Sequence, residues 1–134
     1  MNRKLLIQAV ERIATADGYT FHSTDDREMP HTIRQYPLVW LSPPVFTSME
    51  GRRQGKITYS LTLHAMEADA KLPPAERERV WARLEEDVVG MFSTLSEEDF
   101  VIAVEDLKIR HTSHTHTPHG EICATATAEV ITFF

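Results

Sequence analysis

Apolar residues fall into two helical patterns and several strand patterns along the chain. Between residues 3 and 16, Leu6, Val10 and Ile13 stand at spacings of four and three with Leu5, Ala9 and Ala14 beside them, while Arg3, Glu11 and Arg12 take the other side. This predicts an amphipathic helix, with Asn2 placed to cap its free amides and Gly18 to close it in a left-handed conformation. Tyr19 to His22 reads as a short strand, and Ser23 to Pro30, with Asp25, Asp26, Arg27 and Glu28, as a solvated loop. Tyr36-Pro37-Leu38-Val39-Trp40-Leu41 predicts a strand stopped by Pro43-Pro44, which offer no donor to a sheet ladder. Residues 47–56 are polar and glycine-bounded and read as the mobile tip of a long hairpin. From Ile57 the alternation is clean, with Ile57, Tyr59, Leu61, Leu63 and Ala65 on one face and Thr58, Ser60, Thr62 and His64 on the other.

Pro73-Pro74 opens a second helical segment in which Trp81, Leu84, Val88, Met91 and Leu95 recur at spacings of three and four, opposite Glu76, Arg79, Arg83 and Glu86. Val101 to Arg110 and Ile122 to Phe133 predict a closing hairpin. The row Ala124, Ala126 and Ala128 leaves room for Trp81 and Phe92 if the long helix lies across the last strand. The order is helix, two or three strands, long helix, two strands. It predicts an α+β domain over residues 1–134, a mainly antiparallel curled sheet packed against the long helix and the N-terminal helix.

Composition narrows the function classes. The 134 residues carry 42% apolar and 25% charged side chains, a globular balance, and folding a chain of this size buries about two-thirds of its surface. Fourteen Lys plus Arg against twenty Asp plus Glu give a formal charge of −6, which repels a phosphate backbone and argues against sequence-specific nucleic-acid binding. The single Cys123 closes no internal disulfide, which fits a cytosolic protein. Gln8, Glu11 and Arg12 interrupt the first helix, making it too polar for a signal or spanning segment, so no membrane role is expected.

Chemistry-bearing constellations are sparse. No G-x-S-x-G, H-E-x-x-H, P-loop or G-x-G-x-x-G occurs, so no catalytic residue and no cofactor is expected. His111, His114, His116 and His119 lie within nine residues; in extended backbone His114 and His116 project to one face and could share a Zn²⁺ or Ni²⁺. No Cys, Asp or Glu inside the cluster completes a shell, so a solvated turn is the simpler account. A small-molecule or metal-binding domain using this turn is the alternative function. Cys123 could pair with His111 or His119 as a nucleophile, but on a strand of small residues it reads as face filling. Glu85, Glu86 and Asp87, being consecutive on a helix, diverge around it. Arg52, Arg53 and Lys56 form one basic patch without interleaved aromatics, suited to an acidic neighbour such as the next copy of the chain. Ile131, Phe133 and Phe134 end an expected edge strand, to be covered by the first helix or by another subunit.

The sequence of elements gives one further lead. A short N-terminal helix, the Tyr36-Pro37-Leu38-Val39-Trp40-Leu41 strand, a long polar hairpin, the alternating Lys56-to-His64 strand, a long helix and a closing hairpin resemble the tail-terminator and tail-completion proteins of long-tailed bacteriophages. The resemblance covers nearly the whole chain in topology. It implies a structural protein that forms a ring, commonly a hexamer, at the head-proximal end of the tail tube. Such a ring stops tube growth and joins the tube to the head. Its expected partners are copies of itself, tail-tube proteins and head-connector proteins, in the host cytoplasm during assembly and then in the virion tail. On that expectation Arg52, Arg53, Lys56, Phe133 and Phe134 belong to subunit contacts.

Overall fold

The computed structural model describes residues 2–31, 35–68, 71–112 and 121–134. Helix α1 (Asn2–Ala16) is followed by β1 (Thr20–His22), a 3-10 segment (Asp26–His31), β2 (Leu38–Leu41), β3 (Val45–Gly51) and β4 (Gly55–Ala68). Then come α2 (Pro74–Leu95), β5 (Val101–Thr112) and β6 (Glu121–Phe133). The fold is α+β, with two helices and a six-stranded, mostly antiparallel sheet in the order β1-β2-β4-β6-β5, β3 joining β4 on the same side as β2, farther along the strand. Among the described residues only the β1–β2 pair is parallel.

Both helix ends obey local rules. Gly18 adopts φ +88°, and Tyr19 donates its amide to the Ala14 carbonyl at 3.0 Å, closing α1 as expected of a glycine there. Pro74 opens α2 in the position where a missing amide hydrogen costs nothing. Asn2 is the first residue of α1, and its side-chain NH2 donates to Thr132 Oγ1 at 2.9 Å and to the Phe133 carbonyl, tying the helix to the end of β6.

The two helices share one face of the sheet. The main core joins Leu6, Val10 and Ile13 of α1 with Leu84, Val88, Met91, Phe92 and Leu95 of α2. Beneath them lie Leu61, Leu63 and Ala65 of β4 and the Ala124, Ala126, Ala128 and Val130 row of β6. The small row lies under the long helix as the pattern predicts. Trp81 is only half-buried, stacked on His111 at the margin. Glu85, Glu86 and Asp87 diverge: Glu85 reaches His111, Asp87 accepts from the Tyr19 hydroxyl at 2.6 Å, and Glu86 faces solvent. Desolvation, reinforced by this part-buried bond to a carboxylate, raises the Tyr19 phenol well above its usual range.

The opposite face is covered over part of its length. The segment read as a solvated loop drops Met29 onto Leu38, Trp40, Met66 and Cys123 to form a second, smaller core. Asp26 anchors it, accepting from Trp40 Nε1 at 3.1 Å and from Ser42 Oγ at 3.0 Å. The charge run concealed this role because residues 24–28 all stay exposed, Asp25 and Arg27 paired at 2.9 Å, and only Met29 turns inward.

Candidate assembly surface

The segment expected as a mobile linker is largely strand. β2 and β3 pair in tandem with the same side of β4, Leu38–Leu41 against Met66–Leu63 and Val45–Gly51 against Ser60–Gly55. They form one line of strand interrupted at Pro43-Pro44, in which β1 covers β2 and β3 is the edge, and the Ser42 amide carries the ladder across the join by donating to the Thr62 carbonyl at 3.0 Å. Only residues 52–54 turn. The fold therefore has one strand more than the sequence pattern showed. Solvent on both sides of β3 removed the period-two signal.

This arm extends beyond the helices. Every residue of β3 is exposed, including Val45 (59%), Phe46 (54%) and Met49 (53%). By register with Tyr59 and Ile57, Phe46 and Met49 lie on the helix-facing side, and Phe46 meets Tyr59 edge-on with centroids 5.9 Å apart. α1 approaches the start of the arm, where Arg3 donates to the Pro44 carbonyl. Three large apolar side chains are thus exposed on a strand whose second edge pairs with no other strand among the described residues.

The residues expected at a subunit contact gather at the end of this arm. Arg52 and Arg53 occupy the turn, Lys56 opens β4 opposite Phe133, and the Phe134 amide donates to the Gly55 carbonyl at 3.1 Å. With Gln54 and Gly55, Lys56, Phe133 and Phe134 line an open hollow of about 450 Å³. β6 is not the edge strand expected, since β4 and β5 flank it. Its two terminal aromatics nevertheless stay exposed, because α1 reaches only as far as Thr132 and the Phe133 backbone. Neither Arg52 nor Arg53 makes an ion pair among the described residues.

The other candidate groups are dispersed. His114 and His116, the possible metal ligands, lie outside the described residues, as does His119. His111 is on the helix side, 2.6 Å from Glu85 Oε1 and stacked on Trp81 at 4.7 Å. Cys123 is fully buried on the other face in the second core, and burial pushes its thiol up to about 11, so it forms no nucleophilic pair with His111. Sequence reasoning missed a buried polar row on that face. His64 lies between Ser42 Oγ (3.4 Å) and Thr125 Oγ1 (2.9 Å), with Asp26 beyond Ser42 and Cys123 Sγ 3.6 Å from Thr125. The Ser42 hydroxyl is given to Asp26, so this row ties the 3-10 segment to the sheet. Strand alternation placed His64 and Thr125 on the polar face, and no local signal showed that a cover would bury them.

No protein-family model and no curated protein matches this chain. Among the described residues no helix is long and apolar enough to cross a membrane, and no group of three or more His, Cys, Asp or Glu is placed to hold a metal ion.

Proposed function

We propose that this chain is a structural subunit of a bacteriophage tail, one that closes into a homo-oligomeric ring at the head-proximal end of the tail tube, ends tube growth and joins the tube to the head. The observation that carries the reading is the solvent-surrounded arm of β3, with Val45, Phe46 and Met49 exposed on an unpaired edge and Arg52, Arg53, Phe133 and Phe134 at its end. A monomer gains nothing from such an edge and risks indiscriminate pairing, whereas a ring covers it once per subunit. The resemblance of the element order to that of tail-terminator proteins supports the viral assignment, and the net charge of −6 suits a passage through which DNA slides without sticking. Copies of the chain, the tail tube and the head connector are its partners, in the host cytoplasm and then the virion.

Oligomeric state tests the assembly half. Native mass spectrometry and light scattering should find one closed oligomer for the unaltered chain. Phe46→Lys with Met49→Lys should give a monomer whose circular dichroism and melting temperature stay within a few degrees, because both side chains already face solvent. A chain that stays monomeric at high concentration, or an oligomer indifferent to the double change, counts against the reading. Neighbouring genes test the viral half: tail-tube, tape-measure or portal genes beside the coding sequence support it, and surroundings without virion genes oppose it.

A further inference from the structure

The sheet has two unlike open edges on its long strands, and they match each other. Among the described residues, β3 pairs only with β4 and β5 only with β6. Because β3–β4, β4–β6 and β6–β5 are all antiparallel, β3 and β5 run in opposite directions. A second copy set beside the first in the same orientation therefore offers its β5 antiparallel to the first copy's β3. A closed ring is generated by rotation without translation along its axis, so with the strands along that axis each residue meets whatever lies at its own level. Reading the registers across the sheet, Phe46 is level with Tyr59, Val130 and Val104. Ser48 is level with Thr58, Ile131 and Ala103, and Met49 with Ile57, Thr132 and Val101.

Side-chain chemistry agrees with that register. Phe46 and Val104 both take the helix-facing side, and next to Val104 a groove of about 230 Å³ runs between α2 and β5, lined by Val89, Phe92, Val104 and Leu107. Val89 is half-exposed there with no cover within the subunit. Beyond the strand, Arg52 and Arg53 come level with the turn that precedes β5, where Glu97 and Asp99 are exposed and form no ion pair among the described residues. Glu98 beside them is already held by Arg12. Past the level of Val45 the position beside β2 is filled by β1, which the same registers put level with residues 110–112, so the joint is confined to residues 101–105 and requires the next copy's β5 to bend away at the irregularity between Glu105 and Lys108, where Asp106 has φ +55°.

Resting on the ring reading, we infer that the subunit joint is strand addition: β3 of one copy pairs antiparallel with residues 101–105 of the next copy's β5, Phe46 enters the groove between α2 and β5, and Arg52 and Arg53 meet Glu97 and Asp99. Main-chain hydrogen bonds supply the adhesion, and the groove and charges fix the register.

Cysteine cross-linking tests the joint. Ser48 and Ala103 would be cross-strand neighbours between copies, about 5 Å apart at Cβ, but within one copy they are three strand spacings, about 14 Å, apart. A chain carrying Ser48→Cys and Ala103→Cys, oxidised in the assembled state, should run on a non-reducing gel as a ladder ending at the copy number found by native mass spectrometry. A mixture of the two single variants should stop at cross-linked dimers. Arg52→Glu with Arg53→Glu should raise the concentration needed for assembly about tenfold, and adding Glu97→Lys with Asp99→Lys should restore it. An oligomer without a ladder overturns this joint and leaves the ring reading standing; a wild-type monomer overturns both. Should the cysteine pair itself block assembly, the charge reversal decides, rescue supporting the joint and absence of rescue overturning it.

Discussion

Two glycines show how position decides the effect of one methyl group. Gly90 lies exposed inside α2 with no atom within 4 Å of an added Cβ, so its only contribution is the freedom it gives the unfolded chain. Gly90→Ala should raise stability by about 0.5–1 kcal/mol in a denaturant titration. At Gly55 a Cβ would sit 2.1 Å from the Glu50 carbonyl oxygen and 2.6 Å from the Phe134 ring. The ladder must shift to admit it, and Gly55→Ala should cost about 1–3 kcal/mol in the same titration and loosen the C-terminal aromatic pair. The opposite sign of two identical substitutions checks the placement of Phe134 over the hairpin. Equal effects would show that the ring does not pack there.

At the level of elements, the 3-10 segment rests on a single carboxylate. Asp26 holds both Trp40 Nε1 and Ser42 Oγ, and Met29 is buried only if the segment stays down. Asp26→Ala leaves the Trp40 and Ser42 donors without this acceptor, and should cost about 2–3 kcal/mol and expose Trp40, read as a red shift and stronger quenching of tryptophan fluorescence. This element marks the limit of what the sequence discloses. Both helices, the Ile57-to-Ala65 face and the alanine row were legible because their apolar period matches the geometry that buries them. Two elements escaped. The 3-10 segment buries one methionine amid charged neighbours, and β3 has no buried face at all. The placement of Phe133 and Phe134 at the same end as Arg52 and Arg53 was likewise invisible locally, since it depends on β6 lying beside β4.

Across the whole molecule, the cover on the sheet is uneven along the strands. In β4, Leu63, His64, Ala65 and Met66 are all buried, shielded by the helices on one side and by the second core on the other, while Lys56, Ile57, Thr58 and Ser60 at the arm keep solvent access. A single continuous strand therefore passes from a doubly sheltered interior to an almost bare extension. In deuterated buffer, amides of residues 63–66 should exchange only with global opening, and those of residues 55–58 and all of β3 orders of magnitude sooner. Uniform protection along β4 in a dilute sample would contradict this gradient. The arm is thus built to be completed by a neighbour without disturbing the rest: whatever settles on it slows its exchange locally, and the sheltered end stays as it was.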